Sequence, residues 1–277
     1  MFLGPIENYV SYCNDRNPLF SMPMSRRIAV SIVSHGHGAM VGRLVAQLIC
    51  CPEISLILVT LNIPEVLALP EDLRIRVLQN LSPRGFGANH NAAFRESKEE
   101  YFCPLNPDIE LLGNPFTALL AAMLDTNIGM TAPRVDSPAG LQEDSWRRFP
   151  TLLSLFKKVF GKGDGSYPVP ADGRVFSPEW VAGMCMLFRS TDFRALGGFD
   201  EGFFLYYEDV DICVRLWKSG HRLVVCPYVA VIHDARRDSH RKIQHLRWHL
   251  SSIARYFFKH WGRLPHSISE TDSAVHS

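Results

Sequence analysis

Long apolar runs are missing from this chain, and none approaches the roughly 18 residues a membrane-spanning helix requires. The amino terminus has no basic head followed by an apolar block, so no signal peptide is expected. There is no Cys-x-x-Cys pair, and the 7 cysteines are odd in number and sit mostly in apolar stretches. That pattern reads as reduced core thiols of a cytoplasmic protein, not as a disulfide framework. A strong charge of either sign is also missing. The net charge of +1 supplies no global field for nucleic acid, and no nucleic-acid partner is expected. Internal repeats and low-complexity tracts are absent. So is a dinucleotide fingerprint: Gly85-Phe86-Gly87 has no third glycine and lies far beyond the first predicted strand. This argues against a nicotinamide-dependent oxidoreductase.

What is present is the composition of a globular α/β protein, 47% hydrophobic and 21% charged over 277 residues. Residues 28–33 (Ile-Ala-Val-Ser-Ile-Val) form a short β-branched run that ends in the glycine-rich turn Ser34-His35-Gly36-His37-Gly38. Val41, Leu44, Val45 and Leu48 then recur at helical spacing. Further strands are predicted at 55–60, 74–79, 101–105, 128–132, 184–189, 223–226 and 229–233, the last two separated by Pro227. Helices are predicted over 87–95, after Asn114-Pro115, and along Val210, Cys213, Val214 and Trp217 up to Gly220. Strands alternating with helices imply a mainly parallel sheet flanked by helices, with ligands gathered at the carboxyl ends of the strands. His35, Asn62 and Asp108 fall at or just past such ends. Residues 133–178 lose periodicity and read as a long connection over the active face.

The densest chemistry lies in Gly197-Gly198-Phe199-Asp200-Glu201-Gly202-Phe203-Phe204-Leu205-Tyr206-Tyr207-Glu208-Asp209-Val210-Asp211. Carboxylates among aromatics are costly unless a metal, a sugar or a proton transfer uses them. Glu208 and Asp209 occupy the first turn of a helix, where acids also simply complement the dipole. One of the two is a candidate general base, kept ionised by dipole and capping. Asp211 and Arg215 read as an ordinary i, i+4 surface pair. Asn106-Pro107-Asp108 is a turn in the plain reading. In the functional reading Asp108 holds a hard divalent ion such as Mg²⁺ or Mn²⁺ and Asn106 assists. His233 ends an apolar strand, and only a pairing with Asp108 would raise it above a structural histidine.

The segment from Arg236 to Arg263 carries Arg236, Arg237, Arg241, Lys242, Arg247, Arg255, Lys259 and Arg263 against a single acid, Asp238. With Trp248, Tyr256, Phe257, Phe258 and Trp261 it suggests an anionic membrane surface or a lipid-linked diphosphate. The plain reading packs this helix through Leu246, Leu250, Ile253 and Phe257.

Taken in order, Ala29-Val30-Ser31-Ile32-Val33-Ser34, Leu105-Asn106-Pro107-Asp108, the Gly197–Phe204 run, Glu208-Asp209-Val210-Asp211 and Pro227 to His233 resemble family 2 glycosyltransferases, with the flavour of the bacterial rhamnosyltransferase-like group. The resemblance spans about residues 28–261. It implies a GT-A fold and inversion at the anomeric carbon. It divides the chain into a loose arm (1–25), a single domain (26–264) and a frayed tail (265–277). Within the domain it implies a nucleotide-binding half (26–132), an acceptor-binding half (133–234) and a basic helix (235–264). Carried over, Asp209 is the base, while Asp108 and His233 hold the metal. His35, Asn62, Gly87, Asn89 and Asn106 lie with Asp108 on the nucleotide-sugar side. Asp200, Glu201 and Glu208 shape the acceptor pocket, and Arg236 and Ser239 neutralise diphosphate. The implied partners are a nucleotide-diphosphate sugar and a saccharide or lipid-linked acceptor. A location at the inner face of the cell membrane follows. A non-catalytic saccharide-binding protein and a nucleotidyltransferase are the rival readings. Two departures touch the nucleotide end: Thr60-Leu61-Asn62 where relatives carry an Asp, and His35-Gly36-His37 where a Tyr-Asn pair is common. The expectation that ties all this together is that Asp108, Asp209 and His233 share one pocket.

Overall fold

A computed structural model describes residues 27–159, 167, 170, 172–234 and 242–265. The arm at 1–25, Arg236, Ser239 and the tail beyond 265 lie outside the described residues. The strands β1 (Ile28–Ser34), β2 (Ile54–Leu61), β3 (Ile75–Gln79) and β4 (Tyr101–Leu105) pair in parallel in the order β3-β2-β1-β4. Helices α1 (Ala39–Ile49) and α2 (Phe86–Arg95) serve as crossovers. Period-2 alternation feeds two cores, one on each sheet face. Ile28, Val30, Ile32, Ile57 and Val59 enter the core that also holds the α1 stripe Val41, Leu44, Val45 and Leu48. Ala29, Leu58 and Phe102 enter the other, with the aromatic group Phe188, Phe193 and Phe199. Each fully buried large apolar side chain contributes roughly 1.5–3 kcal/mol, so β1, buried on both faces, anchors the fold.

The second half of the sheet is less regular. β6 (Ile128–Asp136) and β10 (Arg222–His233) pair in parallel. β9 (Leu187–Arg189) runs antiparallel between β4 and β6. β5 (Ile109–Leu111) closes the far edge, antiparallel to β10. The sheet thus has eight strands in one piece, and the expected division at 132/133 falls inside β6. The strand expected over 184–189 shrinks to three residues, and Cys185 makes only an isolated bridge to Leu105. The two strands expected around Pro227 are one, with the register jumping between Cys226 and Ala230. Proline cannot donate to a ladder, so the chain bulges there instead of stopping.

Elements not foreseen are β5, the two-residue ladder of β7 (Trp146–Arg147) with β8 (Trp180–Val181), and the short helices α4 (Leu152–Val159) and α5 (Ser190–Ala195). Helix α3 (Phe116–Ala122) starts as expected, with Asn114 Oδ1 accepting the Phe116 N–H at 3.0 Å. Helices α6 (Glu208–Lys218) and α7 (Lys242–His260) cover the second core. The six described cysteines are all free, and only Cys50 is exposed. No described helix is long and apolar enough to cross a membrane.

Candidate active site

Asp209 is placed by an unusual turn. Tyr206 and Tyr207 both adopt left-handed backbone, at φ 71° and 66°. Bulky residues rarely do so, and such strain clusters at functional sites. The turn swings both rings toward α7, where the Tyr206 hydroxyl and His245 Nδ1 lie 2.8 Å apart. It also delivers Glu208 and Asp209 into the first turn of α6. Asp209 Oδ1 accepts the Val210 N–H at 2.8 Å, and Oδ2 accepts the Gly183 N–H at 3.1 Å. A side chain at Gly183 would meet the Phe86 ring at 3.3 Å and the Asp209 Cβ at 3.5 Å. Asp209 lines a cavity of about 340 Å³ with Tyr206, Tyr207, Trp180 and His249. Arg147 and Arg148 line the same cavity, because the β7–β8 ladder sets Arg147 opposite Trp180.

Dipole and capping were expected to keep the general base ionised at neutral pH. Burial raises the Asp209 pKa, and the N–H bonds from Val210 and Gly183 offset that in part. Glu208 is raised further, by burial and then by the adjacent Asp209 charge. Glu208 is buried and its Oε2 has no hydrogen-bond partner. Its side chain is not among those lining the Asp209 cavity.

Asp108 and His233 meet because the antiparallel register of β5 and β10 sets His233 opposite Ile109. His233 Nε2 lies 3.4 Å from Asp108 Oδ2, and Nδ1 lies 2.8 Å from Glu143 Oε2. Burial lowers the His233 pKa, but Asp108 and Glu143 outweigh it and raise it to about 9. Asp108 Oδ1 is buried with no partner. An orphan carboxylate oxygen beside an imidazole whose other nitrogen is held by a second carboxylate suits a divalent cation. No group of three ligand-type residues able to hold a metal occurs among the described residues. A metal there would take its remaining ligands from a bound diphosphate. Glu143 was not foreseen; it lies in the aperiodic stretch with no motif around it.

Asp108 lines a small recess with Arg43, Gln47 and Asp234, while Asp209 lines the aromatic cavity. The two are joined by adjacent residues of one strap: Gly183 donates to Asp209, and the Met184 carbonyl accepts the Asn106 N–H at 2.9 Å.

At the nucleotide end several expected contacts are taken up by the protein itself. Asn62 Oδ1 accepts from Asn80 Nδ2 and the Arg84 N–H, both at 2.8 Å, while its Nδ2 donates to the Arg84 carbonyl and lies 3.2 Å from His35 Nδ1. Asn89 is fully buried and bonded to Asn80 and to the carbonyls of Arg84 and Gly85. Gly87 packs on Phe199, where a Cβ would approach to 2.6 Å. Asn62, Gly87 and Asn89 thus shape the loop that carries Arg84 beside His35. The glycine-rich turn is closed by Glu65, which accepts the Gly36 and Gly38 N–H groups.

Asp200 and Asp211 also differ from expectation. Asp200 binds Arg255 at 2.8 Å and Lys259 at 2.7 Å. Asp211 is fully buried, not on the surface, and takes Arg215 and Lys259 at 2.7 Å and His260 at 2.8 Å. Both carboxylates clasp α7 to the domain. Glu201 accepts from Asn91 at 3.1 Å and faces Arg84 at 3.7 Å.

The family model for glycosyl transferase family group 2 matches residues 168–269. The chain is 31% identical over 244 residues to rhamnosyltransferase WbbL of Escherichia coli (strain K12), covering 83% of this chain and 92% of that protein. It is 31% identical over 182 residues to N-acetylglucosaminyl-diphospho-decaprenol L-rhamnosyltransferase of Mycobacterium tuberculosis (strain CDC 1551 / Oshkosh), covering 60% of this chain and 59% of that one. The fold is similar to GalNAc-T7 with UDP, GalNAc and Mn²⁺ (TM-score 0.63, 19% identity, 76% of this chain and 44% of that one). It is also similar to the mannosyltransferase PcManGT from Pyrobaculum calidifontis in complex with GDP-Man and Mn²⁺ (TM-score 0.54, 14% identity, 90% and 70%). With its GT-A sheet, its Glu-Asp pair at the head of α6 and a relative matched along most of its length, the chain belongs to the family 2 glycosyltransferases.

Proposed function

We propose that this glycosyltransferase moves a hexose or deoxyhexose, with rhamnose the leading candidate, from a nucleotide-diphosphate donor to a saccharide or lipid-linked saccharide. The carrying observation is Asp209: a carboxylate fixed by two backbone N–H groups at the wall of an aromatic cavity. Asp209 takes the proton from an acceptor hydroxyl. That oxygen attacks the anomeric carbon as the bond to the diphosphate breaks on the opposite face, which inverts the centre. Asp108 and His233, with Glu143 orienting the imidazole, are the residues that would hold a divalent ion. When bound, such an ion stabilises the negative charge of the leaving diphosphate. His35, Asn106 and Arg84 stand at the nucleotide end, and Arg236 and Ser239 follow His233 closely enough in sequence to serve the same diphosphate.

A lipid-linked acceptor in surface polysaccharide assembly is supported by the relatives' names, and membrane contact through α7 by its excess of basic residues. The free cysteines suit the reducing cytoplasm. Screening nucleotide sugars with Mn²⁺ for thermal stabilisation, then assaying the stabilising donor for transfer, tests the reading. Failure of every donor to stabilise the protein would count against it.

A further inference from the structure

The mouth of the Asp209 cavity is flanked by two helices that leave apolar side chains uncovered. Ser154 and Leu155 of α4 line the cavity, and Leu152 and Leu153 precede them on the same helix. On α7, His249 lines the cavity, and Ile243, Leu246 and Leu250 recur at helical spacing on the same helix. These five apolar side chains are between 50% and 79% exposed. Leu246 and Leu250 were expected to pack α7 onto the domain, but the helix is held instead by Ser252, Tyr256 and His260, all buried. Exposed leucines scattered singly are ordinary. Here they fall on the two helices that both lend residues to one cavity, a clustering of the kind that marks an interaction surface.

The charges beside the patch identify its occupant. Residues 145–156 hold Arg147 and Arg148 and no acid; residues 242–260 hold Lys242, Arg247, Arg255 and Lys259 and no acid. Arg255 and Lys259 are engaged by Asp200 and Asp211. Arg148 and Arg247 are exposed and make no ion pair among the described residues. The acid nearest the α4 side, Asp144, is paired with Arg147, so apolar residues flanked by the exposed Arg148 and Arg247 match an anionic bilayer surface.

We propose that this rim is a membrane-docking face. In it, α4 and the first half of α7 lay their apolar side chains into an anionic bilayer, Arg148 and Arg247 meet its phosphates, and the Asp209 cavity opens toward the lipid. The docking face rests on the helices alone. Its meaning for catalysis, that the acceptor enters from the membrane, rests on the transferase reading above.

Co-sedimentation of the full chain with phosphatidylcholine–phosphatidylglycerol vesicles, against pure phosphatidylcholine, is the test. The expected result is binding to the anionic vesicles, reduced about ten-fold or more in Leu152→Ser/Leu153→Ser and in Leu246→Ser/Leu250→Ser, and reduced in Arg247→Gln. Because these side chains are exposed, the variants should keep the wild-type unfolding midpoint and the wild-type thermal shift with donor, so loss of docking is read separately from loss of the transferase site. Absence of wild-type binding would overturn the proposal. So would equal binding by the serine variants, or a dimer in sedimentation velocity that the serine variants dissociate, since the patch would then be a contact between copies of the chain.

Discussion

Gly183 gives its backbone N–H to Oδ2 of Asp209 at 3.1 Å, across 26 residues of chain. The contact is close because position 183 has no side chain: a Cβ there would press on the Phe86 ring and on Asp209 itself. The carboxylate is therefore aimed by a strap that also holds Asn106 through the next residue, Met184.

Replacing Asp209 with Asn should remove the proton acceptor while keeping the shape and the Gly183 bond. Turnover should fall by roughly 10²–10⁴-fold, with donor affinity by calorimetry nearly unchanged. Wild-type turnover in this variant would remove Asp209 from the mechanism.

Gly183→Ala tests aim without touching charge. The Phe86 ring must give by a few tenths of an ångström, so kcat should drop on the order of ten-fold, less than the ~10²-fold of a 1 Å misplacement. Donor binding should hold. An unchanged kcat would show that the strap does not position the base.

The acid limb of the kcat profile should lie above the ordinary carboxylate range of about 4, because burial raises the Asp209 pKa. The base form is then lost earlier as pH falls. A limb at or below the ordinary value, measured with saturating donor and acceptor, contradicts the assignment.

Chelation should abolish donor-induced stabilisation, and Mn²⁺ should restore it. Asp108→Ala should lose the metal-dependent part of donor affinity. Glu143→Ala, which releases the imidazole from its partner, should weaken apparent Mn²⁺ affinity by about 10–100-fold. Donor affinity in Asp108→Ala equal to wild type with Mn²⁺ present would refute that role.

The clasp on α7 predicts a stability effect. For both Asp200 and Asp211 burial pushes the pKa up, but it is outweighed. Lys259, Arg255 and the Gly202 N–H lower Asp200; His260, Arg215 and Lys259 lower Asp211. With folded values below unfolded ones, the stabilisation is present above pH ~4 and fades as pH falls through the depressed folded values. Asp211→Asn should cost about 3 kcal/mol at pH 7 by urea unfolding, and the difference from wild type should narrow toward pH 2. A constant difference across that range would rule out ionisation as its source.

Much of the site could be read from residue order because its parts are local. The strand at 101–105 ends where the Tyr101–Leu105 run ends, and the helix after Tyr207 begins at Glu208. What could not be read depends on partners far along the chain. Asn62 and Asn89 looked like ligand contacts, since a polar residue at a strand end carries no mark of the Asn80 that saturates it. Asp211 looked like half of a surface pair because only Arg215 is four residues away; Lys259 and His260 arrive from the last helix. Glu143 has no neighbour in sequence that signals the imidazole 90 residues on.

Hydrophobic period and turn chemistry, properties of neighbouring residues, were enough to establish an α/β sheet with acids at the head of one helix, and the ordered motifs supplied the resemblance to family 2 glycosyltransferases. Strand direction at β9 and β5, the pairing of His233 with Glu143, and the exposure of Leu246 and Leu250 required the packed chain. Each of these depends on which distant segment reaches a given surface first, and burial, unlike periodicity, is a property of the whole molecule.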